Sequence, residues 1–142
     1  MIKVIGFLEQ EISYKATYNQ SARVFNIESE IMNDKCKPCE ESTGNMVFLV
    51  EDLIGEIESI YPIETEFCNI HNFEEVETIC GVLRVMIDYE EKNTEIVIDG
   101  SNAMLIFDAN RKAEKRYISG KCSFYVADSE VVAIACEDVE IR

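Results

Sequence analysis

Residues 94–127 read TEIVIDGSNAMLIFDANRKAEKRYISGKCSFYVA, and they carry the strongest evidence for the fold class. It contains short runs of β-branched, aromatic and other apolar residues, which are typical of β-strands. Asp99-Gly100 and Ser119-Gly120 separate the runs with residues that favour tight turns. Because the connections are short, we expect neighbouring strands to be antiparallel.

The same strand signal extends over most of the chain. The second half predicts a meander of strands at 82–90, 94–99, 103–109, 116–119, 121–127 and 131–141. In the first half, the apolar members of an alternating pattern are Ile12, Tyr14, Ala16, Tyr18, Phe25 and Ile27. A period of two places every second side chain on one face of a strand. The sequence therefore predicts an α+β protein that is mainly β, with a curved or partly closed antiparallel sheet.

One segment near residues 49–61 breaks this period. Its apolar positions, which have the spacing of one helix face, are Val50, Leu53, Ile54, Ile57, Ile60 and Tyr61. Acidic residues lie between them, and Pro62 would end a helix because proline disfavours helical geometry in the residue before it. We therefore predict one amphipathic helix near 49–61, packed against one face or end of the sheet.

Length and composition exclude several classes of protein. The chain has 142 residues, a size that predicts a single domain over 1–142 with its own core. Its net charge of −15 argues against a nucleic-acid partner, because two polyanions repel each other. No apolar run reaches the length of about eighteen residues that a membrane helix needs, so no membrane partner is expected. Without a recognisable export signal, we expect a cytoplasmic protein whose six cysteines remain free thiols.

The acidic residues are unevenly distributed. Between Lys37 and Arg84 there is no lysine or arginine, whereas eleven acidic residues occur in that window. We expect several of them to converge on one face and attract a positively charged protein. The carboxylates assigned to this face are Glu51, Asp52, Glu56 and Glu58 on the predicted helix, and Glu74, Glu75 and Glu77 beyond it. Tyr61 and Phe73 are the predicted aromatic anchors, because a few buried aromatic residues usually carry most of the binding energy.

Two pairs of potential metal ligands have the two-residue spacing of zinc sites. Cys36 and Cys39 form the first pair, and Cys68 and His71 form the second. Three thiolates and an imidazole would complete a tetrahedral zinc site. A chain of this length does not need a metal in order to fold, so the expected cofactor is none, with structural zinc at these four residues as the alternative.

No catalytic constellation is recognisable, and we therefore expect a protein that is not an enzyme. In size, acidity, strand content and lack of catalytic motifs, the chain is similar to bacterial immunity proteins. That resemblance implies neutralisation or inhibition of a basic protein partner, such as a toxin or nuclease. The carboxylates would mimic the nucleic-acid phosphates that such a partner binds.

Two other functions remain open at this point. The first is a structural zinc-binding domain that uses the four ligands named above. The second is a small-ligand-binding β-barrel with a pocket lined by Tyr89, Phe107, Tyr117 and Phe124. Whichever function holds, an uncovered edge strand would permit a homodimer.

Overall fold

The computed structural model describes residues 2–29, 36–39, 46–53, 56–66, 70–74, 76–87 and 94–142. For 36–39, 46–53, 70–71 and 87 it describes the backbone alone. A 3₁₀ turn covers Ile70–Phe73. The strands in chain order are β1 (Ile2–Leu8), β2 (Tyr14–Asn19), β3 (Val24–Ser29), β4 (Cys36–Cys39), β5 (Met46–Leu53), β6 (Glu56–Ile60), β7 (Ile63–Glu64), β8 (Glu77–Cys80), β9 (Val82–Ile87), β10 (Glu95–Asp99), β11 (Asn102–Ile106), β12 (Lys115–Ser119), β13 (Cys122–Ala127), β14 (Glu130–Cys136) and β15 (Glu140–Ile141).

The strands form two mixed sheets. The first has the order β15-β2-β3-β6-β5-β9-β1, with β4 paired to β5. The second has the order β7-β10-β11-β14-β13-β12-β8. The two sheets meet where Lys3 of β1 pairs with Glu130 of β14. Within the second sheet, β11 lies beside β14 while β12, β13 and β14 follow one another as hairpins, which is a Greek-key arrangement.

The inner faces of the two sheets pack against each other and form the main core. Tyr14, Ala16 and Tyr18 of β2 are buried, as the alternating pattern predicts, and the prediction for Phe25 and Ile27 of β3 is also confirmed. The rings of Tyr14 in the first sheet and Phe124 in the second lie 5.4 Å apart, in an edge-on arrangement. Each fully buried large apolar side chain contributes about 1.5–3 kcal/mol to folding.

A second, smaller core covers the outer face of the second sheet. Phe73, from the 3₁₀ turn, packs there with Ile106, Val132 and Ala133. Strand β14 is therefore buried on both faces, because Val131 and Ile134 belong to the main core.

Both predicted glycine turns are present. Gly100 connects β10 to β11 with a φ of 61°, and Gly120 connects β12 to β13 with a φ of 57°. A positive φ at the first central position is typical of two-residue hairpin loops that begin with glycine. The strands predicted at 94–99, 103–109, 116–119 and 121–127 are found close to their predicted positions. The strand predicted at 131–141 is divided into β14 and β15, and residues 88–90 of the strand predicted at 82–90 lie outside the described residues.

The predicted helix near 49–61 is wrong. Strands β5 and β6 occupy this segment and pair with each other, while β6 also pairs with β3. Along β6, acidic residues alternate with the buried Ile57 and Ser59, so a period of two is also present in this segment. Pairing of β6 with β3 and β5 favours the strand period over the helical one. The local sequence pattern contains no information about these partner strands.

The prediction of a mostly antiparallel sheet that is curved or partly closed also needs correction. Among the described strands, three pairs are parallel: β7 with β10, β8 with β12, and β2 with β15. Among the described strands, no pairing closes either sheet on itself. In the part of the chain covered by the structure, no helix has the length and apolar character needed to cross a membrane.

Candidate functional site

Three carboxylates lie on the outer face of the first sheet, and we call them the acidic face: Glu28 of β3, and Glu56 and Glu58 of β6. Glu28 is directly opposite Glu56 in the antiparallel register. The side chain between Glu56 and Glu58, that of Ile57, is fully buried, so the two carboxylates project away from the core. Ile27 has the same relation to Glu28, because it is buried on the inner face.

The acidic face is repulsive within the folded protein. Partial burial raises the pKa of Glu56, and the negative charges of Glu28 and Glu58 raise it further. Like charges placed directly opposite each other destabilise a strand pair. Asn26 lies opposite Glu58 and, with its amide nitrogen facing Glu56, donates to Glu56 Oε1 at 3.2 Å. Because the Asn26 amide is neutral, this hydrogen bond does not cancel the negative charge of Glu56.

Within the described ranges, no lysine or arginine forms an ion pair with the acidic face. Lys15 lies across from Glu28 in the register of β2 and β3, but its Nζ is 3.6 Å from Glu140 Oε2. Among the described side chains, the three carboxylates are therefore left without a paired cation, and their negative charge can attract an external one.

An exposed aromatic ring follows the strand that carries this face. Tyr61 comes directly after β6 and is 63% exposed. Its backbone N–H donates to Arg23 O at 2.7 Å, and the Arg23 guanidinium lies 5.8 Å from the centre of its ring. Arg23 Nη2 also donates to Pro62 O at 3.1 Å. These contacts hold the Tyr61 ring at the surface, where it is suited to anchor a partner.

Two more carboxylates border a small cavity beyond Tyr61. The cavity has a volume of about 240 Å³ and is lined by Glu64, Thr65, Glu66, Ile96 and Ile98. The Tyr18 hydroxyl donates to Glu64 Oε1 at 2.6 Å. Burial, followed by the contact with Glu64, raises the pKa of Tyr18 to about 12. The volume is below the range typical of small-molecule pockets and better suits a single side chain.

Three other predicted partner-binding residues, Phe73, Glu74 and Glu77, lie on the second sheet or at the turn that packs against it. Phe73 is buried, with its ring centre 5.5 Å from that of Tyr125, and therefore contributes to the smaller core. Glu74 and Glu77 are exposed, and Glu77 belongs to β8, at the opposite edge of the second sheet from β7. Glu51 and Asp52 belong to β5, where the backbone alone is described, and Glu75 lies outside the described residues.

The predicted zinc ligands fall mostly outside the described residues. Cys36 and Cys39 are the first and last residues of β4, and His71 lies in the 3₁₀ turn, but the side chains of all three are not described. Cys68 lies outside the described ranges. Among the side chains that the structure does describe, no three histidine, cysteine or acidic residues cluster as metal ligands. The zinc site stays a prediction.

Three of the aromatic residues assigned to a ligand pocket lie in or against the core. Phe124 and Tyr117 are buried members of the main core, and Phe107 packs against it. Tyr89 lies outside the part of the chain that the structure covers. The described rings therefore fill the space between the sheets.

Sequence reasoning did not find Glu28, because this residue precedes the window free of basic residues. The alternation of the apolar Phe25 and Ile27 could have indicated Glu28, because it places Asn26 and Glu28 on the outer face of β3. No protein-family model and no curated protein sequence matches the chain. Function is therefore inferred from the geometry and charge of the acidic face.

Proposed function

We propose that this protein is a non-catalytic acidic binding protein that neutralises or inhibits a basic protein partner, as immunity proteins do. The acidic face is the proposed contact surface. One observation supports this proposal above the others: Glu28, Glu56 and Glu58 are adjacent on one sheet face, without a cation paired to them in the described structure. The proposal retains the cytoplasmic location expected from the sequence.

The energetic cost of the acidic face supports a role in binding. Burial and neighbouring charge both disfavour the ionised form of Glu56, so the charged face opposes folding. Residues that break a local rule of stability without local compensation occur mainly at functional sites. A cationic partner would offset the repulsion among the three carboxylates, so the acidic face would be more stable in the complex than in the free protein.

Charge and aromatic contact would have separate roles in such a complex. The carboxylates would attract a basic protein over several ångströms and raise its association rate. Tyr61 would provide the apolar contact that slows dissociation, since aromatic residues at the centre of an interface carry much of the affinity. Glu64 and Glu66 at the β7 edge of the second sheet are further carboxylates, and their cavity would accept one lysine or arginine side chain of the same partner along Ile96 and Ile98.

A pair of matched charge reversals tests the proposal. Glu56→Lys/Glu58→Lys reverses two charges on the acidic face, and Glu9→Lys/Glu11→Lys reverses two exposed charges after β1. Each lysine adds two units of charge, so both variants change the net charge from −15 to −11. Any difference between them therefore depends on position.

The assay captures basic proteins from a lysate of the source cell on immobilised wild type and on each variant. We expect a basic protein that is retained by the wild type and the Glu9/Glu11 variant and lost by the Glu56/Glu58 variant. Its association rate constant at low salt should fall by about tenfold or more for the Glu56/Glu58 variant. The activity of the captured basic protein should fall when the wild-type protein is added. Equal binding by both variants would show that net charge alone attracts cations.

A further inference from the structure

Two buried thiols face each other across the hairpin of β13 and β14. Cys122 is the first residue of β13, Cys136 is the last residue of β14, and the register pairs them directly. They are 1% and 2% exposed. The Cys122 thiol donates to the Cys136 sulfur at 3.3 Å, and both cysteines are free.

The hydrogen bonds around this pair determine how closely the backbones approach. Glu137 N donates to Lys121 O at 2.9 Å, a bond that joins the residues just beyond the two cysteines. Such a bond identifies Cys122 and Cys136 as a non-hydrogen-bonded pair, in which the Cα atoms are about 4.5 Å apart. Disulfides span Cα separations of about 4.4–6.8 Å. The sulfurs can therefore be joined with little movement of either strand.

We propose that Cys122 and Cys136 are a site of oxidative modification at which a cross-strand disulfide forms and links the ends of β13 and β14. This inference is independent of the proposed function, because the pair lies in the core and the acidic face lies on the outer surface of the first sheet.

The oxidant is a low-molecular-weight disulfide, for which glutathione disulfide serves as the probe. One cysteine thiolate attacks a glutathione sulfur, forms a mixed disulfide and releases one glutathione thiolate. The second cysteine loses its proton to solvent and attacks the protein sulfur of the mixed disulfide. The second glutathione thiolate leaves as the protein disulfide forms. In all, the protein loses two protons and two electrons, one proton from each thiol; the electrons reduce one glutathione disulfide, and its two thiolates take up protons to give two glutathione molecules.

The position of the pair explains how a buried site can react. Contact with Cys122, together with burial, raises the pKa of the Cys136 thiol, so Cys136 remains protonated while the strands are closed. The pair is the last rung of the β13/β14 ladder. Beyond it, the Lys121–Asp138 ion pair is exposed to solvent. The ends of strands open more readily than their centres, so local fraying would expose the sulfurs without global unfolding.

Peptide mapping of the full-length protein tests the proposal. Trypsin cleaves after Lys121 and next after Arg142, so residues 122–142 form one peptide whose only cysteines are Cys122 and Cys136. The protein is incubated with glutathione disulfide, once in buffer and once in urea at the foot of the unfolding transition. Remaining thiols are then alkylated. We expect this peptide to lack both alkyl groups and to be two hydrogen atoms lighter than the reduced peptide, in a form that dithiothreitol reverses.

The exposed Cys80 serves as an internal marker of an accessible thiol. It should exchange with glutathione in buffer well before the buried pair reacts. In a Cys136→Ala variant, Cys122 should carry glutathione or an alkyl group. The proposal is overturned when, in wild type, both cysteines remain alkylatable under both conditions. It is also overturned when each cysteine carries its own glutathione, or when either one pairs with a different cysteine.

The stability of the oxidised protein provides a second measurement. A disulfide that closes residues 122–136 without strain restricts the unfolded chain and should raise the melting temperature by about 5–10 °C. An oxidised protein that melts below the reduced one would show that the strands must move to join the sulfurs, which contradicts the geometry proposed here.

Discussion

The hydroxyl of Ser119 joins two segments that are distant in sequence, and its removal should destabilise the protein substantially. Ser119 Oγ accepts a hydrogen bond from Ile12 N at 2.6 Å and donates one to Ile12 O at 2.7 Å. Ser119 is 1% exposed, so water cannot readily replace the hydroxyl. Ser119→Ala leaves a buried donor and a buried acceptor unpaired, each at a cost of about 1–3 kcal/mol. We expect a total loss of about 3 kcal/mol.

The same substitution at Ser59 should have the opposite sign. Ser59 is 0% exposed, and its Oγ has no hydrogen-bond partner in the described structure. Ser59→Ala removes a buried polar group that the fold does not satisfy, and we expect a gain of about 1 kcal/mol. The two variants are chemically identical changes at equally buried sites, so their difference isolates the hydrogen bonds of Ser119.

Equilibrium urea unfolding followed by circular dichroism measures both effects. With a slope of about 2 kcal/mol per molar urea, Ser119→Ala should lower the midpoint by about 1.5 M, and Ser59→Ala should raise it by about 0.5 M. A loss below about 1 kcal/mol for Ser119→Ala, or a shift of both midpoints in one direction, would refute this reasoning.

Two further comparisons also measure stability, the first by urea unfolding and the second by thermal unfolding. Gly120→Ala should cost about 1–2 kcal/mol more than Gly100→Ala. Both glycines have a positive φ, so both variants are strained, but only the Cβ added at Gly120 would be crowded, at 3.2 Å from Ile12 O; one at Gly100 would meet no atom within 4 Å. Equal losses of stability in the two variants would contradict this steric argument. The pKa of Glu56 is raised in the folded state, so the protonated carboxyl favours folding over unfolding. This contribution to stability is complete below the unfolded-state pKa and is lost as pH rises through the folded-state pKa. Glu56→Gln should therefore raise the melting temperature at about pH 7 and leave it unchanged at about pH 3. Glu140→Gln, which removes a carboxylate whose pKa is lowered first by Arg142, should not raise it at either pH; a gain there would contradict the electrostatic account.

The strands of the second half could be predicted because their signals are local. Asp99-Gly100 and Ser119-Gly120 mark hairpins whose two strands pair with each other, so turn chemistry and strand period agree. Residues 94–99 and 121–127 therefore match the observed β10 and β13 closely.

The first half contains a conflict between two periods that the local sequence cannot resolve. Ile57 and Ile60 satisfy helical spacing, but Glu56, Glu58 and the buried Ser59 satisfy the period of a strand. Pairing with β3, about thirty residues earlier, selects the strand. The parallel pair of β2 and β15 is equally invisible in the sequence, because its members come from opposite ends of the chain.

The acidic face could be predicted only in part for the same reason. Glu56 and Glu58 were expected to carry the binding surface, and they do lie together on an outer face. Their neighbour is Glu28, which strand pairing supplies and a count of charges along the chain does not. Burial of Phe73 likewise depends on how the 3₁₀ turn packs on the second sheet.

The most direct test of the acidic face is an NMR titration of the isotope-labelled protein with a deca-arginine peptide. The peptide is attracted by every exposed carboxylate, so the position of the response is decisive. We predict that the largest amide shifts occur at residues 26–28 and 56–58, and that they disappear in the Glu56→Lys/Glu58→Lys variant. Shifts of equal size at Glu9, Glu11 and Glu137 would contradict the account, since they would show that the bound cation does not distinguish the acidic face from the rest of the surface.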